Sequence, residues 1–310
     1  MRYVPASTGA PVGTSDRPWQ DYVLLVALAC IFGSNFMMTK ITVTVMEPAF
    51  VVTMRLLVAT IALALVMLIA RAPWPRGRIW IAIIASAIFG HLLPFSLLAH
   101  GQQVVDAGIA AILMATMPLF TLGLAQLFTA DEKPNRYSTI GFAVALVGII
   151  ILFGPERLAS LDPTSVAQYI IALAAISYGI NSIITKSLFG QRWEGVATAF
   201  MGTAFLMSLP LLAVSGASWP DAPANAWAAL VYTGVGPTAT GAVLVVLLIR
   251  RAGASFASQI NFVVPVVGTA LAIIFLGESL PNSAWLALII ILVGVAIARR
   301  RPAEPNGATA

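Results

Sequence analysis

The chain has 310 residues, of which 59% are hydrophobic and only 9% are charged. Soluble domains carry about 25% charged residues, so this composition excludes a water-soluble globule and predicts a protein that crosses the lipid bilayer repeatedly. The net charge of +5 comes from basic residues at predicted helix ends and in loops, without the basic stripe that nucleic-acid binding needs. We therefore expect a bilayer environment and no nucleic-acid partner.

Apolar runs of about 20 residues, long enough to cross the hydrocarbon core, recur along the chain. Residues 1–18, which precede these runs, are rich in Pro, Gly, Ser and Thr, and residues 302–310, which follow them, are polar. Both segments are expected to be disordered tails. Ten spans are predicted, over residues 19–41, 48–69, 79–99, 107–128, 138–154, 166–187, 195–214, 225–249, 254–275 and 284–298.

The second half of the chain repeats the first. Residues 32–40 return as 178–186, and residues 128–135 return as 275–282, at offsets of 146 and 147. Each copy contains five predicted spans, an odd number, so the second copy must lie upside down relative to the first. The predicted fold is therefore all-α, with two inverted five-helix repeats. The predicted segments are a first repeat over 19–155, an external linker over 156–164 and a second repeat over 165–301.

The distribution of Lys and Arg predicts the orientation, because these residues concentrate on the cytoplasmic side. Fourteen of the 17 lie on the side of the two termini, while Lys40 and Arg157 lie on the other side and Arg55 lies within a span. This bias places both termini in the cytoplasm and supports an even number of spans. It also places Lys40 outside and its repeat partner Lys186 inside, as an inverted repeat requires.

Polar residues recur on the first helix of each half. Asn35 and Thr39 lie four residues apart, on one helical face, and Asn181 and Thr185 repeat them. At bilayer depth such side chains point into the bundle or into a cavity, because lipid offers them no hydrogen-bond partner. Helix packing and cavity lining are equally supported, and all four residues are candidate substrate contacts.

Prolines interrupt the fourth span of each half, at Pro118 and Pro265. Each frees the carbonyl four residues earlier, and such a break either forms a polar binding or gating spot or only kinks the helix. Asn261 precedes the second of these prolines and is predicted to face the cavity. Pro94 and Pro237, in spans three and eight, are expected to bend their helices.

Two ionisable residues lie within spans. Arg55 is about 10 Å along its helix from the outer end, and His91 is about 18 Å into the third span. Arg55 could pair with a substrate carboxylate, extend outward to water or bind backbone carbonyls. His91 could bind a ligand, carry a proton or be a satisfied core histidine. Phe36, Phe95 and Tyr178 are predicted near the same cavity, although each also suits core packing.

Catalytic and metal-binding patterns are lacking at membrane depth. No Ser/His/Asp set, His-x-x-x-His motif or pair of carboxylates falls there, and the single cysteine, Cys30, allows neither an intrachain disulfide nor a cysteine cluster. We therefore expect no enzymatic activity, no metal and no other cofactor. An intramembrane enzyme is kept as a remote alternative.

Several of these features together resemble the drug/metabolite transporter superfamily. They are the Gly-x-Asn element in the first helix of each half, the proline in each fourth helix and the acidic loop that follows it. The closest resemblance is to the ten-span EamA-type branch, over roughly residues 20–300. In this family each half often carries a Gly-Glu pair after its fourth helix, as Gly277-Glu278 does here. The first half departs from that pattern, because residues 130–132 read Ala-Asp-Glu. The matching pieces are residues 32–40, 47–55, 117–120 and 276–278.

The resemblance implies an exporter of amino acids or similar small neutral or zwitterionic metabolites in the bacterial inner membrane. It would work by alternating access around a cavity lined by spans one, three, four, six, eight and nine, and we expect it to function as a monomer. A carrier of a sugar derivative or a drug is the alternative. A nucleotide-sugar carrier needs several cations near the phosphate, and only Arg55 is well placed. Proton-coupled multidrug members of the superfamily use a buried Glu, and no Asp or Glu lies mid-span here.

Overall fold

The computed structural model describes residues 18–128, 135–154, 162–188 and 190–300. The predicted tails, Arg157, most of the predicted linker and the 130–132 element lie outside these residues. The helices, numbered in chain order, are α1 Trp19–Val43, α2 Pro48–Ile69, α3 Gly77–Val104, α4 Ala107–Phe128, α5 Arg136–Phe153, α6 Pro163–Leu188, α7 Trp193–Ser215, α8 Ala224–Ala252, α9 in two parts, Ala254–Ala257 and Ile260–Leu276, and α10 Asn282–Ala298.

Every predicted span corresponds to one of these helices. The bounds agree to within three residues, except that α3 continues to Val104. Helices α1 to α8 are long and apolar enough to cross a membrane, whereas α10 and the main part of α9 have 17 residues each. The prediction of an all-helical, multi-pass membrane protein is confirmed for the described residues, and the number of crossings stays a prediction.

The first helix of each half packs mainly against helices of the other half. α1 packs against α8 and α9 of the second half, while α6, its repeat partner, packs against α3 and α4 of the first. The other equivalent helices pair with each other, α2 with α7 and α5 with α10. Neither half could bury its first helix alone, so the two repeats form one folded unit.

The equivalent helices α1 and α6 end at opposite ends of this bundle. α1 begins beside the end of α8, where Arg251 Nε donates a hydrogen bond of 3.0 Å to Asp21 Oδ1. Lys40 lies in its last turn, and Lys40 Nζ reaches the end of α3. Lys186, near the end of α6, lines a cavity together with Ala254, which follows α8. We call the two ends of the bundle the Lys40 end and the Lys186 end.

Small residues let these first helices approach the other half closely. A Cβ atom added to Gly33 of α1 would lie 2.9 Å from the backbone nitrogen of Gly268 in α9. The equivalent contact joins α6 to α4, where a Cβ atom on Gly179 would lie 3.1 Å from the backbone nitrogen of Thr121. The first distance is too short for a side chain unless the structure shifts, and the second is tighter than most contacts of a real Cβ atom, so both contacts favour glycine.

Helices α5 and α10 form a second close contact. A Cβ atom on Gly141 would lie 2.5 Å from the carbonyl oxygen of Gly294, and one on Gly294 would lie 2.7 Å from the carbonyl oxygen of Gly141. Small residues at such spacing permit close helix approach in membranes. The sequence left open whether these residues contact a second copy of the chain; in the structure they contact each other within one chain.

We expect Gly141→Ala to destabilise the protein by about 1–3 kcal/mol, because the new methyl group meets the backbone of α10 and cannot be accommodated by a rotamer change. The measurement is the free energy of unfolding in detergent micelles. Gly123→Ala in α4 is the matched control, since no heavy atom lies within 4 Å of its added Cβ. The control should be neutral or more stable by up to about 1 kcal/mol. Equal stability of the two variants would contradict the assignment of this contact.

Candidate functional site

Helices α3 and α8 both widen into a π-helical turn in their middle. The turns are Ile88–Leu92 in α3 and Gly234–Thr240 in α8, which are equivalent regions of the two repeats. Such turns inside α-helices are frequent at functional sites. Pro94 follows the first turn by two residues and Pro237 lies inside the second, so backbone carbonyls at this depth lose their helical partners.

Side-chain hydroxyls satisfy two of these carbonyls. Ser177 of α6 donates to the carbonyl oxygen of Phe89 at 2.7 Å, and Thr238 donates to the carbonyl oxygen of Thr233 at 2.7 Å. Thr233 lies four residues before Pro237, the position whose partner a proline removes. The irregular turns are thus held in place by short polar side chains from the bundle interior.

Arg55 joins helices α2, α3 and α8 at this level. Its side chain is buried, with 6% of the residue exposed. Nε donates a hydrogen bond of 3.1 Å to Thr238 Oγ1, and the guanidinium carbon lies 3.7 Å from the centre of the Phe95 ring. Arg55 therefore points into the bundle and does not extend outward to water.

The terminal nitrogens of Arg55 remain available. Among the described residues neither Nη1 nor Nη2 makes a hydrogen bond, although a guanidinium presents five N–H donors. A buried cation with unmet donors is costly, and it commonly marks a ligand or ion position. The planar pair of nitrogens matches the two oxygens of a carboxylate.

His91 lies beside this cluster. Its ring stacks on Phe200 of α7 with centroids 4.5 Å apart and meets Phe95 edge to face at 5.8 Å. Its Nδ1 donates to the carbonyl oxygen of Ser86 at 3.1 Å, which leaves Nε2 as the nitrogen that could contact a ligand. Of the alternatives left open by the sequence, core packing is visible in these contacts, and a ligand or proton role stays a prediction.

The paired asparagines hold buried polar atoms. Within the described part of the chain, the amide oxygens of Asn35 and Asn181 and the hydroxyl of Thr39 are buried without a hydrogen-bond partner. Asn181 packs against Gly90, where an added Cβ atom would lie 2.5 Å from Asn181 Nδ2. Thr185 differs, because its hydroxyl bonds to the carbonyl of Asn181 in its own helix. The two asparagine oxygens are therefore better placed than Thr185 to meet a donor from a ligand.

A cavity of about 1050 Å³ opens between α4, α6, α9 and α10 at the Lys186 end. Helix α4 is interrupted between Met114 and Met117, and α9 between Ala257 and Ile260, where both line this cavity. Pro118 stands next to the first interruption, whereas Pro265 lies inside the continuous part of α9. The residues lining the cavity include Pro118, Thr121, Ser182, Lys186, Ser258, Asn261, Arg299 and Arg300.

Arg299 lies at the mouth of this cavity, just beyond the end of α10. Its Nη1 donates to the carbonyl oxygen of Ser258 at 3.1 Å, and its guanidinium carbon lies 5.2 Å from the centre of the Phe262 ring. Arg299 is exposed overall, and partial desolvation of its guanidinium lowers its pKa from the usual value. Arg299 therefore links the break in α9 to the end of α10.

The bundle is closed at the Lys40 end, where α4 packs on α9. The hydroxyl of Thr269 lies 3.4 Å from the carbonyl oxygen of Gly108, and an added Cβ atom on Gly268 would lie 3.0 Å from Ala111 Cβ. Two smaller cavities lie at this end, one of about 460 Å³ lined by Lys40, Asp106 and Glu278 among others, and one of about 440 Å³ lined by Glu47, His100 and Ser215 among others. α4 and α9 are thus joined at one end and parted at the other.

The predicted site residues other than the Asn and Thr pairs fall in several places. Arg55, His91 and Phe95 form the central cluster, and Tyr178 packs against the two largest buried clusters of the protein. Phe36 is buried between α1 and α9, beside Gly268. Pro118 and Asn261 line the large cavity, and Pro265 is buried within α9.

Sequence reasoning missed three residues of the central cluster: Thr238, Phe200 and Ser177. Thr238 could have been found, because it follows a mid-span proline and occupies the repeat position of His91 at an offset of 147. Phe200 and Ser177 carried no comparable signal, since an aromatic and a small polar residue are both ordinary in a span. In the described residues no three His, Cys, Asp or Glu side chains come together in a manner that could hold a metal ion.

A duplicated bundle of membrane-length helices, open at one end and closed at the other, has the architecture of a membrane transporter. The chain belongs to the EamA-like transporter family, whose model matches it twice, over residues 20–154 and 166–300. The double match confirms both the duplication and the resemblance that the sequence motifs indicated.

Known proteins similar to this chain include two bacterial relatives. A probable terminal-alkyne amino-acid exporter of Streptantibioticus cattleyicolor is 31% identical over 80% of this chain and 82% of its own length. The uncharacterized inner membrane transporter YedA of Escherichia coli is 27% identical over 88% of each chain. One solved protein structure shares the fold with a TM-score of 0.62, at 17% identity over 91% of this chain and 97% of its own.

We expect Thr238→Val to lower the free energy of unfolding by about 1–3 kcal/mol, since it removes the acceptor for Arg55 Nε and the donor to the freed carbonyl of Thr233. Thr60→Val is the matched control, because the Thr60 hydroxyl bonds only to Leu56 in its own helix. The control should change stability by no more than about 0.5 kcal/mol. Both variants can be compared by unfolding in detergent. A loss no larger than that of the control would show that the Arg55–Thr238 link does not stabilise the fold.

Proposed function

We propose that this protein exports amino acids or similar small zwitterionic metabolites across the bacterial inner membrane by alternating access. The observation that carries the proposal is the buried Arg55, whose terminal nitrogens make no hydrogen bond with the described residues. The amino-acid exporter and the inner membrane transporter among its relatives support the substrate class and the location. The direction of transport rests on the family alone.

We further propose that all ten helices cross the membrane, with the two repeats inverted and both termini cytoplasmic. A helix of 17 residues is about 25 Å long, which spans most of a hydrocarbon core of about 30 Å. The basic residues Lys186, Arg299 and Arg300 would then lie on the cytoplasmic side, as the positive-inside rule requires. The large cavity would face the cytoplasm, where an exporter takes up its substrate.

A zwitterion fits the polar groups of the central region. The guanidinium of Arg55 would hold the carboxylate by two parallel hydrogen bonds. The amide oxygens of Asn35 and Asn181, buried and without partners in the described structure, would accept hydrogen bonds from the ammonium group. Phe95, Tyr178 and neighbouring apolar residues would surround the side chain of the substrate. A nucleotide-sugar substrate is less well matched, because its phosphates call for several cations.

One chain supplies both repeats, and we propose that it functions as a monomer. The small residues of α5 and α10, which could have formed a contact between copies, are already packed on each other. The two repeats would rock about the central region, so that the cavity closes at the Lys186 end when it opens at the Lys40 end.

The test of the substrate class is counterflow in proteoliposomes with a panel of amino acids, sugars and cationic drugs. Once a transported amino acid is found, its carboxamide serves as the matched ligand without a carboxylate. We expect Arg55→Gln to raise the KM for the amino acid about 10- to 100-fold, because the charge-assisted hydrogen bonds to the carboxylate are lost. The KM for the carboxamide should change little. Arg55→Lys should give an intermediate KM, since it keeps the charge but not the planar pair of donors.

Arg192→Gln is the control for this series. Arg192 is exposed and pairs with Glu194, so its replacement should alter neither KM. An Arg55→Gln variant that loses transport of the acid and the amide equally would indicate a purely structural role for Arg55. A panel in which no amino acid moves would overturn the proposed substrate class, while family membership would stand.

A further inference from the structure

Lys40 fastens the closed end of the bundle. Its Nζ donates to the carbonyl oxygens of Gln102 at 2.8 Å and Val105 at 3.0 Å. These carbonyls lie at the carboxyl end of α3, whereas Lys40 belongs to α1. The end of a helix carries partial negative charge on its unpaired carbonyls, and a lysine there is favourable because its ammonium group has three donors on a flexible stem.

A second contact crosses the same boundary. The carboxylate of Glu278, which follows α9, accepts hydrogen bonds from the backbone nitrogens of Ala107 at 2.8 Å and Gly108 at 2.9 Å. These nitrogens begin α4, so Glu278 caps that helix from the other half of the chain. Lys40 and Glu278 therefore tie α1 and α9 to α3 and α4. These are the helices that must separate if the cavity is to open at the Lys40 end.

Lys186 is the repeat partner of Lys40, and its contacts within the described residues differ from those of Lys40. Its side chain is exposed and lines the open cavity, and it makes no hydrogen bond within the part of the chain that the structure describes. At an offset of 147, the repeat positions of Gln102 and Val105 are Ile249 and Ala252, at the carboxyl end of α8. Since α6 and α8 are the repeat partners of α1 and α3, Lys186 relates to α8 as Lys40 relates to α3.

The two basic residues at the end of α8 are not expected to repel Lys186 strongly. Arg251 is paired with Asp21 of α1, which compensates its charge. Arg250 is exposed, so water screens its repulsion of an approaching ammonium group. The carbonyls at the end of α8 carry the same partial charge as those at the end of α3.

We propose that Lys40 and Lys186 are two alternating latches of the transport cycle. In the present conformation Lys40 holds the outer end closed, while Lys186, at the open cytoplasmic end, makes no hydrogen bond with the described residues. In the opposite conformation Lys186 donates to the carboxyl end of α8, and Lys40 releases α3. This inference rests on the alternating access of the proposed function, and it adds the residues that stabilise each state.

The test measures the two populations directly by double electron–electron resonance. Cys30→Ala removes the native cysteine, and spin labels on cysteines at Thr44 and Gln103 report the outer end. Labels at Ser187 and Arg300 report the inner end; all four of these residues are exposed. The protein is reconstituted in lipid nanodiscs, and the fraction of each distance population is compared with that of the unmutated lysines.

Lys40→Met should shift the ratio of outward-open to inward-open protein about tenfold toward outward-open, because a hydrogen-bonded charge is lost from one state only. Lys186→Met should shift the ratio in the opposite direction by a similar factor, with the inner label pair showing less of the short, closed distance. The double variant should return near the starting ratio. Lys186→Arg, which keeps a donor at this position, should restore most of the closed population.

Arg192→Met is the control, because it removes a basic residue at the same end and lies outside the latch. The proposal would be overturned if Lys186→Met and Arg192→Met gave the same ratio, both alone and in the Lys40→Met background, where outward-open protein is expected to be populated. The measurement does not depend on transport. Latch shifts without amino-acid flux would refute the proposed substrate, whereas flux without latch shifts would refute the latches.

Discussion

The structure depends on the close contact of α1 with α9 and of α6 with α4. Gly33 meets Gly268 in the first contact, and Gly179 meets the backbone at Thr121 in the second. Lipid provides no hydrophobic force between helices, so association relies on close packing of small residues. Because each contact joins the first helix of one half to the other half, the repeats are interlocked.

The centre of the molecule combines this interlocked packing with irregular backbone. The π-helical turns in α3 and α8 free carbonyls that Ser177 and Thr238 then satisfy. Non-helical backbone at membrane depth is tolerated only where protein or a polar cavity surrounds it. Thr238 also accepts from Arg55, so one hydroxyl connects the irregular turn to the buried cation. The polar centre is thus built from secondary-structure defects and the few side chains that occupy them.

Symmetry of fold and asymmetry of chemistry coexist in this chain. Arg55 occupies the repeat position of Gly202, and His91 that of Thr238, so the cation and the imidazole come from the first half alone. Thr238, from the second half, nevertheless accepts a hydrogen bond from Arg55. The same asymmetry appears in the conformation, where Lys40 is engaged and Lys186 is exposed. A duplicated scaffold can in this way carry one asymmetric cluster of polar side chains.

The sequence alone determined the membrane class, the helices and their bounds, because hydropathy is a local signal. It also determined the duplication, because the repeat of 147 residues is visible when the chain is compared with itself. It also identified Arg55 and His91, since an ionisable residue within a span is conspicuous. Only the tertiary structure decided that Arg55 rests on Phe95 and Thr238, that α5 and α10 pack within one chain, and which end of the bundle is open. These depend on contacts between helices far apart in the chain, which helical periodicity does not specify.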